Sequence, residues 1–402
     1  MSYRRRLMMQ QQATGIIDLS LQDVYGHRIN RSTANCYVVR ETGQYKFPLV
    51  YGNAIKNGKV NTAAFTNNGG ANSHDFVNAS RNIITSPYII ENLEGYHVPW
   101  LENCDDENVI LTSSLSTSFE DGIAYINFIV NSVPSEGANA IISITIDGSI
   151  LWSWHIWLWP HDLSPVEITN ATGVKYNIMP VNLASKYDSD GVHIKNWFYQ
   201  WGRKDPMLCP ASYNSYTDHS PGEITTERKT PYLSRGISRP TTFFYNEREI
   251  ANISSDWNWF GDKNYFNLWD AACTETGDSY NDTVKTVYDP CPVGWKVPNG
   301  NTFTGLSILS NANGIVKMRR YSNDTIGVEF PMSGCRYNSD GLLNEVGYGG
   351  FVWLSSVSTK SMGNMMFSDD YIRPNGYSLE YTPPRGQSIR PVQDDITKID
   401  EL

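Results

Sequence analysis

The stretch Tyr288-Asp289-Pro290-Cys291-Pro292-Val293-Gly294-Trp295-Lys296-Val297-Pro298 places three prolines and a glycine within eleven residues. Each proline locks φ and removes an amide donor, so this segment cannot be helical and must follow a fixed, mostly extended path. It carries no acid-base pair, ligand cluster or phosphate loop. It reads as a scaffold whose purpose is to hold other segments still.

Composition agrees with a chain of short strands and many turns. Of 402 residues only 18% are charged, 12% are aromatic (12 Trp, 24 Tyr, 14 Phe), and there are 31 Gly and 20 Pro. That profile predicts a mostly β fold with room for two or three domains. The formal charge of −10 argues against nucleic acid or an anionic membrane as partner, because such contacts need clustered Lys and Arg. The basic cluster Arg4-Arg5-Arg6 is followed by Leu7-Met8-Met9, too short an apolar run for a secretory signal, so export by that route is not expected. No other apolar run approaches the roughly 18 residues of a membrane helix, and a soluble protein is expected.

Residues 1–13 form a basic, glutamine-rich arm, read as an assembly anchor through Arg4, Arg5 and Arg6. The next part, 14–165, has strand grammar. Asn35-Cys36-Tyr37-Val38-Val39 and Tyr45-Lys46-Phe47-Pro48-Leu49-Val50-Tyr51 come first, followed by the apolar Gly122–Val130 run. Ile142, Ile144 and Ile146 then alternate with polar residues up to Asp147-Gly148, a type I′ hairpin signal. Beyond the turn, Ile150, Trp152, Trp154, Ile156 and Leu158 share one face, while Ser153, His155, Trp157 and Trp159 share the other. Both faces should be covered. This part reads as an immunoglobulin-like β-sandwich.

Pro160 and Pro165 punctuate the chain, and a second domain with α+β character is expected over 166–393, followed by an acidic tail at 394–402. Helices are expected at Asn264 to Cys273 and around Thr302 to Ser310. Six cysteines (Cys36, Cys104, Cys209, Cys273, Cys291, Cys335) at wide, irregular spacing are read as buried thiols rather than a zinc site or disulfide framework. The seven histidines never fall at metal-ligand spacing, and His155 within its Trp-rich strand is read as packed. Asp105-Asp106-Glu107 lacks the alternating oxygens of a calcium loop. No cofactor is expected, although backbone carbonyls in the long loops leave a structural calcium ion open.

No hydrolase elbow, zinc-protease helix or phosphate-binding loop occurs. Cys335, beside Arg336 but without a paired histidine, reads as a small packed residue, and no enzymatic activity is expected. The segment from Arg336 to Tyr381 is different. Arg336, Tyr337, Asn338, Tyr348, Asn364, Tyr371, Arg373, Asn375, Tyr377 and Tyr381 are interspersed with Gly and Ser. Tyr supplies wide contact at low entropy cost and Asn adapts its hydrogen bonds, the mixture antibody loops use, so these ten are the candidate ligand-binding residues. Trp353 is expected to be core.

Four motifs in order resemble the Fibrobacter succinogenes major paralogous domain of Bacteroidetes and their phages. They are Tyr288–Pro298, Pro331-Met332-Ser333-Gly334-Cys335-Arg336, Phe351-Val352-Trp353-Leu354-Ser355-Ser356 and Gly386-Gln387-Ser388-Ile389-Arg390-Pro391-Val392. That domain is similar to the C-type-lectin fold of formylglycine-generating enzymes and of retroelement-diversified tropism proteins. The first part looks like the β-sandwich that precedes it in Bacteroidetes surface proteins. The resemblance implies display, with ligand contacts in the irregular segment before the last strand. The chain lacks the Glu-Pro-Asn and Trp-Asn-Asp calcium motifs of sugar-binding lectins and the cysteine pair of the formylglycine-generating branch.

The expectation is therefore a non-enzymatic virion protein of a Bacteroidetes phage, a fibre or tail-associated subunit binding a host glycan or protein receptor. The alternative is a Bacteroidetes cell-surface or pilus-tip adhesin, and a formylglycine-generating-type enzyme stands third. Expected partners are other virion or appendage subunits through the arm, further copies of the chain, and a host surface molecule, with neither nucleic acid nor membrane insertion.

Overall fold

The computed structural model describes residues 15–70, 73–91, 99–103, 109–187, 194–207, 225–228, 230, 232–246, 258–261, 265–273, 283–357, 362–376 and 384–396. Arg4, Arg5 and Arg6, Cys104 and Cys209, Asp105 to Glu107, and Tyr377 and Tyr381 lie outside them. Strands dominate, and α-helix among the described residues is confined to Leu233–Ser238. The mostly β expectation holds.

The first part builds two four-stranded sheets. One runs in the order Ile17–Asp18, Gly43–Pro48, Ile123–Val130, Ser116–Glu120, and the other Cys36–Val39, Ser149–Leu158, Ala138–Ile146, Pro99–Asn103. Period-two alternation sets the inner face: Ala124, Ile126, Phe128 and Val130 enter the apolar core, whereas Tyr125 turns outward beneath Lys46. The sheets meet through Phe47, whose ring lies 5.0 Å from Trp154 and 5.3 Å from Tyr37. Asp147 and Gly148 both adopt positive φ (48° and 75°) between paired Ile146 and Ser149, as a type I′ hairpin requires.

From Trp152 onward the strand Ser149–Leu158 is buried on both faces, as its sequence predicts, while Ser149 at its start is exposed. Trp152, Trp154, Ile156 and Leu158 join the core. On the reverse face, Trp157 Nε1 donates to Ser185 O (2.9 Å) and His155 stacks 5.9 Å from Trp197. The Lys204 ammonium there pairs with Asp205 (2.8 Å) and donates to Ser153 O (2.9 Å). The chain after 182 is thus the lid of the second sheet. One apolar core continues across residue 165, joining Val39 and Trp152 to Trp201, Trp269 and Cys291.

The remainder contributes small sheets. Val166–Thr169, Lys175–Ile178, Val392–Gln393 and Trp295–Lys296 form one, and Tyr199–Gln200, Gly386–Gln387, Cys335–Arg336 and Leu343–Asn344 another. Two three-stranded sheets complete it: Ser307–Ala312, Ile315–Arg319, Val328–Pro331, and Gly350–Val357, Met362–Phe367, Ile372–Gly376. Trp353 is fully buried and donates to Tyr199 O (2.7 Å), as expected for core. Arg390 of the closing motif is also buried, its guanidinium satisfied by Asn182 Oδ1 (2.7 Å), Pro180 O (2.7 Å) and Glu329 O (2.9 Å).

Both expected helices are corrected. Residues 265–273 are turns and a bridge, because Phe266, Leu268, Trp269 and Ala271 are all buried, leaving no solvent side for an amphipathic helix. Thr302 to Gly305 is a turn leading into the Ser307–Ala312 strand. A Cβ on Gly305 would stand 2.0 Å from Thr169 O, so close backbone approach decides that turn. Asp394, assigned to the acidic tail, is anchored to the body: its carboxylate meets Lys56 (2.7 Å) and Lys296 (3.5 Å), and its amide donates to Gly294 O (2.8 Å). Cys36, Cys291 and Cys335 are free, buried thiols, and Cys273 is buried as well.

The Tyr288–Pro298 brace is fully buried and built into the first part. The Asn35 carboxamide donates to Val287 O (2.7 Å) and Asp289 O (2.8 Å) and accepts from Trp152 Nε1 (3.0 Å). Asn53 donates to Thr286 O (2.9 Å), and Tyr288 Oη donates to Val77 O (2.7 Å). Cys36 bridges Pro292 in parallel. A Cβ on Gly52 would lie 2.3 Å from Val287 O, so glycine is required there. Inside the brace, Asp289 accepts the amides of Cys291 (2.7 Å) and Val297 (3.0 Å), and Lys285 Nζ donates to Cys291 O (2.9 Å) and Pro292 O (3.0 Å). Burial nevertheless pushes the Asp289 carboxyl pKa up.

Two outcomes follow. Replacing Asn35 by Ala leaves two carbonyls and an indole N–H buried without partners, so stability should fall by about 2–4 kcal/mol in urea unfolding of the whole chain; a loss under about 0.5 kcal/mol would show that the brace is held by other means. His155 is buried, its Nε2 facing Asn139 Oδ1 (2.8 Å) and its Nδ1 unpartnered, and burial lowers its pKa from 6.5 to about 3. The unfolded chain therefore takes up this proton at pH values where the native chain does not, and stability drops as pH falls from 6.5 towards 3. Between pH 6.5 and 4.5 the contribution is about 2–3 kcal/mol. A His155→Gln variant should be less acid-sensitive by that amount, and identical pH profiles would contradict it.

Candidate ligand-binding surface

Cross-strand register decides which residues of the 336–381 segment face outward. Phe351 pairs with Met366 and Met366 with Arg373, so the three share one face of their sheet. The opposite face carries Val352, Met365, Phe367 and Ile372 into a second apolar core with Phe330 and Phe303. On the outer face, Phe351 and Cys335 are covered by Tyr337 and Met366. Arg373 stands exposed at the outer strand, its guanidinium 5.7 Å from the ring of Tyr371.

Tyr337 anchors the other side. Arg385 lies 4.4 Å from its ring centroid, and its Oη donates to Glu345 Oε1 at 3.4 Å. Burial chiefly, with the Glu345 carboxylate adding to it, raises the Tyr337 pKa and keeps the phenol a proton donor. Glu345 holds positive φ (61°), and its carbonyl receives the amides of Tyr348 (3.0 Å) and Gly349 (2.9 Å). That turn presents Tyr348, 65% exposed, just before Gly350. Because Gly350 pairs with Phe367 and Phe367 with Ile372, Tyr348 and Tyr371 project beyond the same end of the sheet. A turn closed by Ser368 N and Tyr371 O (2.8 Å) fixes Tyr371, which is 38% exposed.

The ten candidates therefore divide. Tyr348, Tyr371 and Arg373 are exposed, and Tyr337 and Asn375 are half-buried at the surface. Asn338 is half-buried and engaged with Asn246, whose amide donates to its carbonyl (2.6 Å). Arg336 and Asn364 are corrected from contact residues to internal ones. Arg336 is 4% exposed with Nη1 donating to Gly341 O (2.8 Å), because its strand is sandwiched between Gly386–Gln387 and Leu343–Asn344. Asn364 is fully buried in the central strand of its sheet, donating to Gln387 Oε1 (3.2 Å). Tyr377, Tyr381 and the Arg4, Arg5, Arg6 anchor fall outside the described residues.

Sequence reasoning missed Arg385, Glu345 and Met366. Arg385 directly precedes the recognised Gly386–Val392 motif, and a cation beside a motif near a tyrosine-rich segment is the signal that could have found it. Burial pushes the Cys335 thiol up to about 12, although Arg385 opposes the shift. Among the described residues, no three His, Cys, Asp or Glu side chains converge as a metal-binding group.

The arrangement offers aromatic rings, a guanidinium over a ring and a phenol paired with a carboxylate on one rigid surface. It can stack on sugar rings or aromatic side chains, donate to hydroxyl or carboxylate oxygens and accept from hydroxyls. Searches of protein families, of characterised proteins and of solved structures return no match for this chain.

Proposed function

We propose that the protein is a non-enzymatic display subunit, a fibre or tail-associated virion protein of a Bacteroidetes phage, that binds a host-surface glycan or protein. In this reading the first part is an immunoglobulin-like sandwich, the second a C-type-lectin-like domain, and the arm the tether to neighbouring subunits. The observation that carries it is the outward face formed by Tyr337, Tyr348, Tyr371 and Arg373, with Arg385 and Glu345 behind it. Those side chains stand on strands and tight turns whose reverse side is core, so little ordering cost accompanies binding. The same surface would serve a cell-surface adhesin, and electron microscopy of purified virions labelled against this chain separates the two. The buried, protonated Cys335 weighs against formylglycine-type oxidation.

Tyr371→Ala and Arg373→Ala in the whole chain should each weaken binding to a Bacteroidetes strain panel and its purified capsular polysaccharides. A central aromatic or arginine contact is worth roughly 1–4 kcal/mol, about ten- to several-hundred-fold in affinity. The urea midpoint should stay unchanged, since neither side chain is core. Binding equal to the unmodified chain would remove this face from the receptor site.

A further inference from the structure

Each sheet of the first part ends in two edge strands, and three of these edges are blunted. Ile17–Asp18 is only two residues long, Cys36–Val39 is bridged by Pro292, and Pro99–Asn103 begins on a proline. Ser116–Glu120 has none of these protections. Its sequence Ser-Thr-Ser-Phe-Glu contains no proline and pairs with Ile123–Val130 without a bulge. Its one charge, Glu120, is neutralised by Lys46.

The hairpin fixes which rungs of this strand face outward. Asp121 and Gly122 hold positive φ (50° and 79°), so Glu120 and Ile123 are the hydrogen-bonded pair that closes a two-residue turn. Antiparallel pairs alternate, which makes Phe119–Ala124 and Thr117–Ile126 non-hydrogen-bonded. Leu49 N donates to Ala124 O (2.8 Å), as this alternation requires, because the Ala124 backbone then points to the opposite neighbour. Thr117 and Phe119 therefore aim N–H and C=O away from the sheet, where no described backbone group meets them. The Phe119 side chain shares the inner face with Ala124, yet it is left out of the core and is 46% exposed.

We propose that this open edge pairs antiparallel with the same strand of a second copy, about a twofold axis at Ser118, so that two sheets become one continuous sheet. The outward rungs select that occupant. Thr117 and Phe119 flank the strand's centre symmetrically, so Thr117 of each copy faces Phe119 of the other, and the whole strand pairs without overhang. Ser118 opposes its own counterpart and Glu120 opposes Ser116, so no like charges meet. The two Phe119 rings become diagonal neighbours on the inner face, and each covers the apolar surface that the other leaves exposed. A contact of one strand is small, which makes the pair reversible. The inference goes beyond the receptor reading and is independent of whether the Tyr371 face binds a ligand.

Whole-chain Ser118→Cys and Ser116→Cys variants, each oxidised with copper phenanthroline, test it. Ser116 is the more exposed, so chance collision favours linkage there. The pairing instead brings the two 118 positions to about 4.5–5.5 Å between Cβ atoms. It holds the two 116 positions about 14 Å apart. The expected result is a dimer whose peptide map joins position 118 to position 118, formed at least tenfold faster than any Ser116→Cys product. Sedimentation should show reversible dimers of the unmodified chain. Thr117→Pro, which removes only an outward amide, and Phe119→Lys should each weaken them at least tenfold with the urea midpoint unchanged. A Ser118→Cys chain that stays monomeric on oxidation, as it would if another segment of its own chain held the edge, overturns the pairing. So does linkage of Ser116→Cys at the same rate, or association of both edge variants equal to that of the unmodified chain.

Discussion

The Asn35 carboxamide is the interaction on which the two parts of the molecule depend. A planar amide has fixed donor and acceptor directions, and here both ends are engaged, with Val287 O and Asp289 O on one and the Trp152 indole on the other. Three segments far apart in sequence are thereby fixed in one geometry: the edge strand, the proline-rich brace and the tryptophan-rich central strand. The contacts around it follow from that placement. Pro292 can pair with Cys36, Gly52 must lack a Cβ, and Tyr288 reaches Val77. Once seated, the brace offers Trp295–Lys296 as a strand for Val392–Gln393, and that late segment is pinned to it.

The rigidity this creates is directional. From Trp152 to Leu158 the central strand has no solvent face, because the apolar core takes one side and residues 182–205 the other. Fully buried Trp and Ile side chains each contribute about 1.5–3 kcal/mol or more, so neither covering can be lifted at low cost. Fully buried cations sit at the seam, Lys204 against Asp205 and Ser153, Arg203 against the carbonyls of Gly236, Pro240 and Thr242. Burial lowers Lys204 to about 8 and Arg203 to about 10, and the Asp205 carboxylate opposes both shifts. Such a seam tolerates no sliding. The tyrosine and arginine face lies on the far side of a second, smaller core, where it is carried by this frame without being part of it.

What could be read in the sequence was local chemistry. Asp147-Gly148 specifies its hairpin because positive φ at two successive positions is a property of those two residues. The alternation in Gly122–Val130 marks an inner face for the same kind of reason. Tyr288–Pro298 was legible as rigid, but not as the partner of Asn35, whose bond to Asp289 spans 254 residues. The helix expected at Asn264 to Cys273 failed because Phe266, Leu268, Trp269 and Ala271 are all buried, which leaves no solvent side and which no periodicity reveals. In the candidate site, Tyr348, Tyr371 and Arg373 are exposed, as residue type suggested. Arg336 and Asn364 are interior because strand order, not residue type, decides who stands between two neighbours. Arg385 was invisible for the complementary reason: its ring partner, Tyr337, lies 48 residues upstream and meets it only through sheet pairing.

The part of the chain after residue 165 leaves and returns at one place, since Lys175–Ile178 pairs directly with Val392–Gln393. Between them residues 182–205 and the Tyr288–Pro298 brace pack against the first part, while the outer sheet with its Tyr348 and Tyr371 turns is an excursion from that frame. Lengthening a loop in such an excursion costs only closure entropy, about 0.6 kcal/mol for each doubling. Sequence change at those turns is therefore decoupled from the stability of the frame, so a lineage could rewrite the tips repeatedly while the base, its prolines and its buried amide stay as they are.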